Sequence, residues 1–426
     1  MRGEPSTTTA DTTTANSVAD ERHAIRSSWL SRVATAENLV LLALLILLSL
    51  SWYYSWFLDG SKPIGGNGWA DQGSYRRAAW RIADWHLPTG NQAHYPAGYA
   101  LLGSLGARIS RGDPYWIVSY SLLMGSAVFL YRGARVLLNS IWLAALFLII
   151  LFAWDLQAGT LNSVSEVFAV PWNNQVQFFA MAFFFWLYTA RVDKPMDRRI
   201  LISIGAIAGF TTMTREESVL FTVPLAAFYL WFHRATLRDW TTAGISAIVA
   251  GLPGLLIKVL VLGNPFSSGR SGGYGRQTQL YFSPQQFVEN LLGTVVHSDF
   301  APRDYGRISL LEAQPWLWLA PLGIAIVFAS RRFHTLTKVY TGLTTLMLVF
   351  YLSGANVTAA KLRYGSLRYL SPGFIVLALG VVVVIQQIGL AGKSARRTKR
   401  KPLDATEYSI DAEIPDVDTP AVNAPA

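Results

Sequence analysis

The stretch Asn38-Leu39-Val40-Leu41-Leu42-Ala43-Leu44-Leu45-Ile46-Leu47-Leu48-Ser49-Leu50-Ser51-Trp52-Tyr53-Tyr54-Ser55-Trp56-Phe57 contains no charge and no helix breaker. A bilayer core takes roughly 20 apolar residues of helix, and this run supplies that length. A Thr/Ser-rich polar segment precedes it, and the run is too long and lacks the small-residue cleavage site of a removable leader, so it reads as a first membrane span. Nine further apolar runs follow: Tyr115–Tyr131, Ile141–Ala153, Trp172–Ala190, Ile200–Thr212, Val219–Trp231, Ala243–Leu262, Trp316–Ala329, Val339–Leu352 and Pro372–Ile388. Only 15% of the 426 residues are charged, against about 25% in soluble domains. The expected fold is an all-α polytopic membrane protein of about ten transmembrane helices, with interfacial helices on the outer face.

Basic residues orient the spans, because short cytoplasmic loops collect Lys and Arg. Alternate connections carry Arg132 and Arg135; Arg191, Lys194, Arg198 and Arg199; Arg234 and Arg238; and Arg331, Arg332 and Lys338. The last run is followed by Lys393, Arg396, Arg397, Lys399, Arg400 and Lys401, whereas Gln157–Pro171 has no Lys or Arg. Both termini are therefore expected in the cytoplasm, with two long outer loops at 58–114 and 263–315. The net charge of +10 then reflects topology, and no nucleic-acid partner is expected. The 15 Trp and 18 Tyr suit interfacial belts. Absence of cysteine excludes disulfides and thiolate chemistry. Residues 1–37 and 391–426, the latter basic and then acidic, are expected to be disordered. The region 38–390 forms the transmembrane domain.

In the first outer loop, Gly65-Gly66-Asn67-Gly68 cannot be helical, and a helical pattern follows. Tyr75, Ala79, Ile82 and Trp85 share one face, while Arg76, Arg77, Arg81 and Asp84 lie largely elsewhere, as in a helix lying in the interface plane. Gly98–Arg111 is short and Gly-rich and is expected on the same outer surface. Asp71 precedes the first of these helices. Two readings stay open for it: an N-cap for free backbone N–H groups, or a general base kept ionised by the helix N-terminus.

Several motifs, in order, resemble the GT-C superfamily of polyprenyl-phosphate-sugar-dependent glycosyltransferases, which includes protein O-mannosyltransferases and the aminoarabinose transferase. Ala70-Asp71-Gln72-Gly73-Ser74-Tyr75 and its Ala-rich helix resemble the family's D-x-x-x-Y-x-x-x-A run. His94-Tyr95-Pro96-Ala97-Gly98-Tyr99 resembles a Tyr-Pro-Pro-Gly-Tyr segment, with Ala97 in place of the second Pro. Ser165-Glu166 falls before the fourth span, Thr214-Arg215 between two short helices, Gly263-Asn264-Pro265-Phe266 at the second long loop, and Arg368-Tyr369-Leu370-Ser371-Pro372 at the last span. The resemblance covers roughly Asn38–Leu390.

It implies an inverting transfer of a sugar from a polyprenyl-phosphate donor to a glycan, lipid or protein acceptor outside the plasma membrane, in cell-envelope glycan or glycolipid assembly. A carboxylate must take the acceptor proton, and a cation must stabilise the leaving phosphate. Asp71 matches the family's first-loop acid. Asp59, at the membrane exit, is a second choice of base and equally a turn residue before Gly60. Glu166 would orient the acceptor or hold a metal together with an Asp. Tyr75, His94, Tyr95, Arg368 and Tyr369 fall to substrate binding by their motif positions. Arg215 is a phosphate candidate or a partner for Glu216 and Glu217. Lys258, inside an apolar run, is functional or snorkels to the interface. Arg270, in the Gly-rich stretch Ser267–Arg276, closes over substrate or belongs to a plain linker. His297 and Asp299 read as a surface pair, and Gly205 with Gly209 as a close helix contact. No metal-ligand spacing is present, so no metal or other cofactor is expected. A transporter or flippase of a lipid-linked saccharide and a non-catalytic envelope-assembly subunit are the competing classes; the first predicts charges lining the bundle midplane.

Overall fold

The computed structural model describes residues 36–58, 70–89, 92, 95–110, 112–152, 168, 171, 173–263, 283–297, 309–353 and 367–399. Those residues are helical or connecting, with no strand among them. By contacts the chain divides after Val384. The packing below lies in the first unit, and residues 385–399 of the second continue the last helix.

The α-helices run α1 Ala36–Tyr53, α2 Ala70–Ala83, α3 Ala97–Ile109, α4 Trp116–Leu138, α5 Ile141–Phe152, α6 Asn174–Ala190, α7 Arg198–Thr214 and α8 Val219–Phe232. They continue as α9 Leu237–Leu262, α10 Pro284–Asn290, α11 Leu310–Ala313, α12 Leu319–Ala329, α13 Thr335–Ser353, α14 Leu367–Leu370 and α15 Phe374–Lys399. Five stretches are long and apolar enough to cross a membrane: Ala36–Leu58, Trp116–Leu138, Leu237–Leu262, Thr335–Ser353 and Ser371–Ala391. Ile141–Phe152 and Pro315–Ala329 are shorter apolar helices. These mark the chain as an all-helical membrane protein, with five such spans where the sequence suggests ten. The runs at Trp172, Ile200 and Val219 fall on helices of 17, 17 and 14 residues, at or under the short limit for crossing.

The exposed surface has the chemistry of a lipid contact. On α1, Leu39, Leu42, Ile46, Leu47 and Leu50 are each more than half exposed, and on α9 so are Ile245, Ile248, Val249 and Leu260. Water would not tolerate apolar faces of this extent. α6 is the opposite case, with fourteen of its seventeen residues buried. Tyr340 donates its hydroxyl to Met181 O (3.0 Å), and Thr337 to Tyr188 O (3.1 Å), fastening α13 to α6. Lipid tails supply little hydrophobic drive between helices, so close packing and such hydrogen bonds hold them.

α1 and α4 run antiparallel. Ser49 and Tyr120 share a hydrogen bond (2.9 Å) toward the end of α1 and the start of α4, and Arg135 pairs with Glu37 at 3.3 Å where α1 begins and α4 ends. Arg132 and Arg135, expected in a loop, are thus in the last turns of α4. Residues 391–399, expected to be disordered, continue α15. Asp197 caps α7 by accepting from Ile200 N–H (2.9 Å) and pairs with Arg191 (3.3 Å). The Ile200 hydrogen bond, with a smaller effect of Arg191, holds the Asp197 carboxyl below its ordinary value. Its contribution to stability is therefore full above the ordinary carboxylate range and lost as pH falls through the lowered folded value. Thermal melts in detergent should show Asp197→Asn flattening part of that acid-side decline.

Two local expectations change. α2 ends at Ala83, and Trp85 is left-handed (φ 62) and 85% exposed, so it leaves the face it was expected to share with Tyr75 and Ala79. The Gly98–Arg111 segment is packed into the bundle as α3, with Gly98, Gly103 and Gly106 buried.

Candidate functional site

α2 and α3 form a hairpin whose interior is aromatic. Tyr75 lies 4.9 Å from Tyr95 and 5.1 Å from Tyr99, and Tyr99 stacks on Tyr115 at 4.5 Å. Tyr115 donates to Tyr75 O at 3.1 Å. The buried hydroxyls of Tyr99 (3.2 Å) and Ser119 (2.8 Å) both donate to Oε1 of Gln175, in the first turn of α6. Burial, and next the neighbouring Tyr75, push the Tyr99 hydroxyl well above its ordinary value, so it stays a neutral donor. Replacing Gln175 by leucine would leave two buried hydroxyls without this acceptor, and a loss of about 2 kcal/mol is expected in a detergent unfolding titration.

The start of α3 rests on the end of α7. A Cβ on Gly98 would stand 2.8 Å from Met213 O and 2.9 Å from Thr214 Cγ2, so only glycine permits this approach. Asn173 adds a hydrogen bond from Nδ2 to Thr214 O (2.9 Å). The two motifs Tyr95–Gly98 and Thr214-Arg215, far apart in sequence, are thereby neighbours.

Arg215 is 3% exposed. Its guanidinium carbon lies 4.6 Å from the Tyr369 ring centroid and 5.4 Å from that of Tyr351. Nη2 pairs with Glu217 at 2.9 Å, and Nε donates to the Tyr351 hydroxyl at 3.4 Å. That hydroxyl also accepts from Nε2 of Gln177 (2.9 Å). Burial opposes the charge on Arg215, but the Glu217 carboxylate with the Tyr351 and Tyr369 hydroxyls outweighs it, and the net shift is upward. The guanidinium is therefore a permanent cation. Lys258, one turn beyond the Gly254 that faces Gly98, pairs its Nζ with Glu216. Its side chain is 7% exposed against 54% for Glu216, so Lys258 is held in an ion pair with a more exposed carboxylate.

Tyr75, Tyr95, Arg215, Lys258 and Tyr369 are thus gathered at one end of the bundle. Asp71 lies in α2, whose described residues begin at Ala70. Arg368 lies in α14 beside Tyr369; the side chains of Asp71 and Arg368 are outside the described set, as are the residues Asp59, His94, Glu166 and Arg270. His297 pairs with Glu312 at 2.9 Å; its expected neighbour Asp299 is outside the described residues. Gln175, Gln177 and Tyr351 were not singled out by sequence, although two glutamines within an apolar helix are a signal in themselves. Among the described residues no group of three or more His, Asp or Glu could hold a metal. Comparison of the chain with protein-family models, curated proteins and solved structures gives no match.

Proposed function

We propose that the protein is a membrane glycosyltransferase that moves a sugar from a polyprenyl-phosphate donor to an acceptor on the outer face of the plasma membrane, in envelope glycan or glycolipid assembly. The observation that carries the reading is the Arg215 cluster: a buried guanidinium held between Tyr351 and Tyr369, beside the tyrosine-lined hairpin. The acceptor oxygen attacks the anomeric carbon as the bond to the phosphate oxygen breaks. Asp71 takes the acceptor proton, and the carbanion-free, oxocarbenium-like centre needs no further covalent partner. Arg215 and Lys258 meet the phosphate as its charge grows, which lowers the barrier because they are already in place. Glu217 and Glu216 neutralise these cations until the donor phosphate competes for them. Tyr95, backed by the buried ring of Tyr75, supplies aromatic surface for the sugar.

The test is Asp71→Asn, assayed in membranes for transfer from a polyprenyl-phosphate sugar, with folding followed by thermal melting. A fall of about 100-fold or more is expected at unchanged stability. Full retention of transfer would remove Asp71 as the base. Movement of the lipid-linked sugar across the bilayer without transfer would replace the enzyme with a flippase.

A further inference from the structure

Trp85 is the most exposed of the large apolar side chains among the described residues, at 85%, and its backbone is left-handed (φ 62). Residues with a Cβ rarely adopt that conformation. Here it is fixed by several contacts. His86 N–H donates to Arg81 O (2.8 Å), Arg81 Nε to Leu87 O (2.9 Å), and Arg108 Nη2 to Ala83 O (3.4 Å). The Arg108 guanidinium also lies 4.4 Å from the indole centroid. The turn therefore presents a held aromatic ring to its surroundings. Around it stand Leu87 (45% exposed) and, from α3, Leu105 (57%) and Ile109 (68%) at the i and i+4 positions that flank Arg108. Among the described residues, this tip carries the charged groups of Arg81, Arg108 and Asp84.

The tip is tied to a membrane-crossing helix. A Cβ on Gly106 would stand 1.9 Å from Pro114 O, two residues before the Trp116–Leu138 span, and Arg76 of α2 pairs with Asp113. Ile109 is one residue short of a turn beyond Gly106, so it is within about 5 Å along the axis of the point where the chain reaches that span. An indole with an apolar body and one N–H donor suits the headgroup level of a bilayer, and guanidiniums pair with phosphate there.

We infer that this tip, Trp85 with Leu87, Leu105 and Ile109 between Arg81 and Arg108, seats in the phospholipid headgroup layer of the bilayer that the chain itself spans. It anchors the α2–α3 hairpin to the membrane surface and so fixes the height of the tyrosine cluster above it. The inference does not rest on sugar transfer.

The chain has no cysteine, so Leu87→Cys and Ile109→Cys each give a unique attachment point for a nitroxide on an exposed position. The full chain would be placed in nanodiscs of phosphatidylethanolamine and phosphatidylglycerol. Power saturation is then measured with oxygen, which concentrates in lipid, and with a water-soluble nickel chelate. Collisions with oxygen are expected to dominate at both labels, and Trp85→Ala is expected to move both toward the chelate. Two outcomes overturn the inference. One is chelate-dominated relaxation at both positions, as for a tip in water. The other is protection from both reagents, as for a tip covered by protein. If one label disturbs folding, the other reads the same depth.

Discussion

Arg215→Met is expected to lower sugar transfer by about 100-fold or more, the size of effect that follows loss of a preorganised group facing developing charge. It is also expected to destabilise the protein, and the two effects are separable. Removing the guanidinium leaves Glu217 without its partner beside a buried hydroxyl. Loss of one member of a fully buried pair costs about 3–5 kcal/mol, but the Glu217 side chain is 33% exposed, so solvent screening reduces the expected loss to about 1–3 kcal/mol. The double variant Arg215→Met with Glu217→Gln removes the stranded charge and should recover most of that stability while transfer stays low. Arg215→Lys keeps the charge, but an ammonium cannot lie flat beside two rings and reach Glu217 at once. It is expected to fall between the parent and the methionine variant. Transfer at the parental rate in Arg215→Met would remove this cluster from the proposed chemistry.

The second large effect is structural. A Cβ on Gly205 would stand 2.0 Å from Ala243 O, and one on Gly209 would stand 2.1 Å from Ala247 O. These are backbone atoms spaced one turn apart on each helix, and neither can rotate aside. Gly205→Leu and Gly209→Leu must therefore separate α7 from α9. Overpacking of this kind typically costs about 1–3 kcal/mol per site and sometimes more. The double variant is expected not to accumulate as a folded protein, measured by size-exclusion recovery in mild detergent. Single Ser246→Ala, which removes only the hydrogen bond to Ile202 O (2.7 Å), should be tolerated. The damage would also reach the site, because Met213 and Thr214 at the end of α7 carry the start of α3 and lead into Arg215.

Much of the architecture was legible in the sequence because it follows from local rules. The uncharged run at Asn38–Phe57, the helical face through Tyr75 and Ala79, and the close contact implied by Gly205 and Gly209 need no knowledge of distant residues. The composition of the site was less accessible. Arg215 beside Glu216 and Glu217 reads as a local ion-pair group, whereas the structure divides the carboxylates, giving Glu217 to Arg215 and Glu216 to Lys258. That division depends on where α9 crosses α7, which no local pattern encodes. The Tyr351 and Tyr369 rings on Arg215 likewise arrive from the far end of the chain. Trp85 fits the helical period by position, and only the backbone turn after Ala83 takes it out of register.

The hydrogen bond from Gln177 to Tyr351 joins residues 174 positions apart. α6 is thus made with a polar amide whose final acceptor does not yet exist. At about 5–20 residues per second of synthesis, the wait is about 10–35 s. During that interval the nascent bundle must shelter Gln177 with water, lipid headgroups or the insertion machinery. Chains arrested before Tyr351 are therefore incomplete in their buried polar network, and membrane quality control has a defined defect to detect in them.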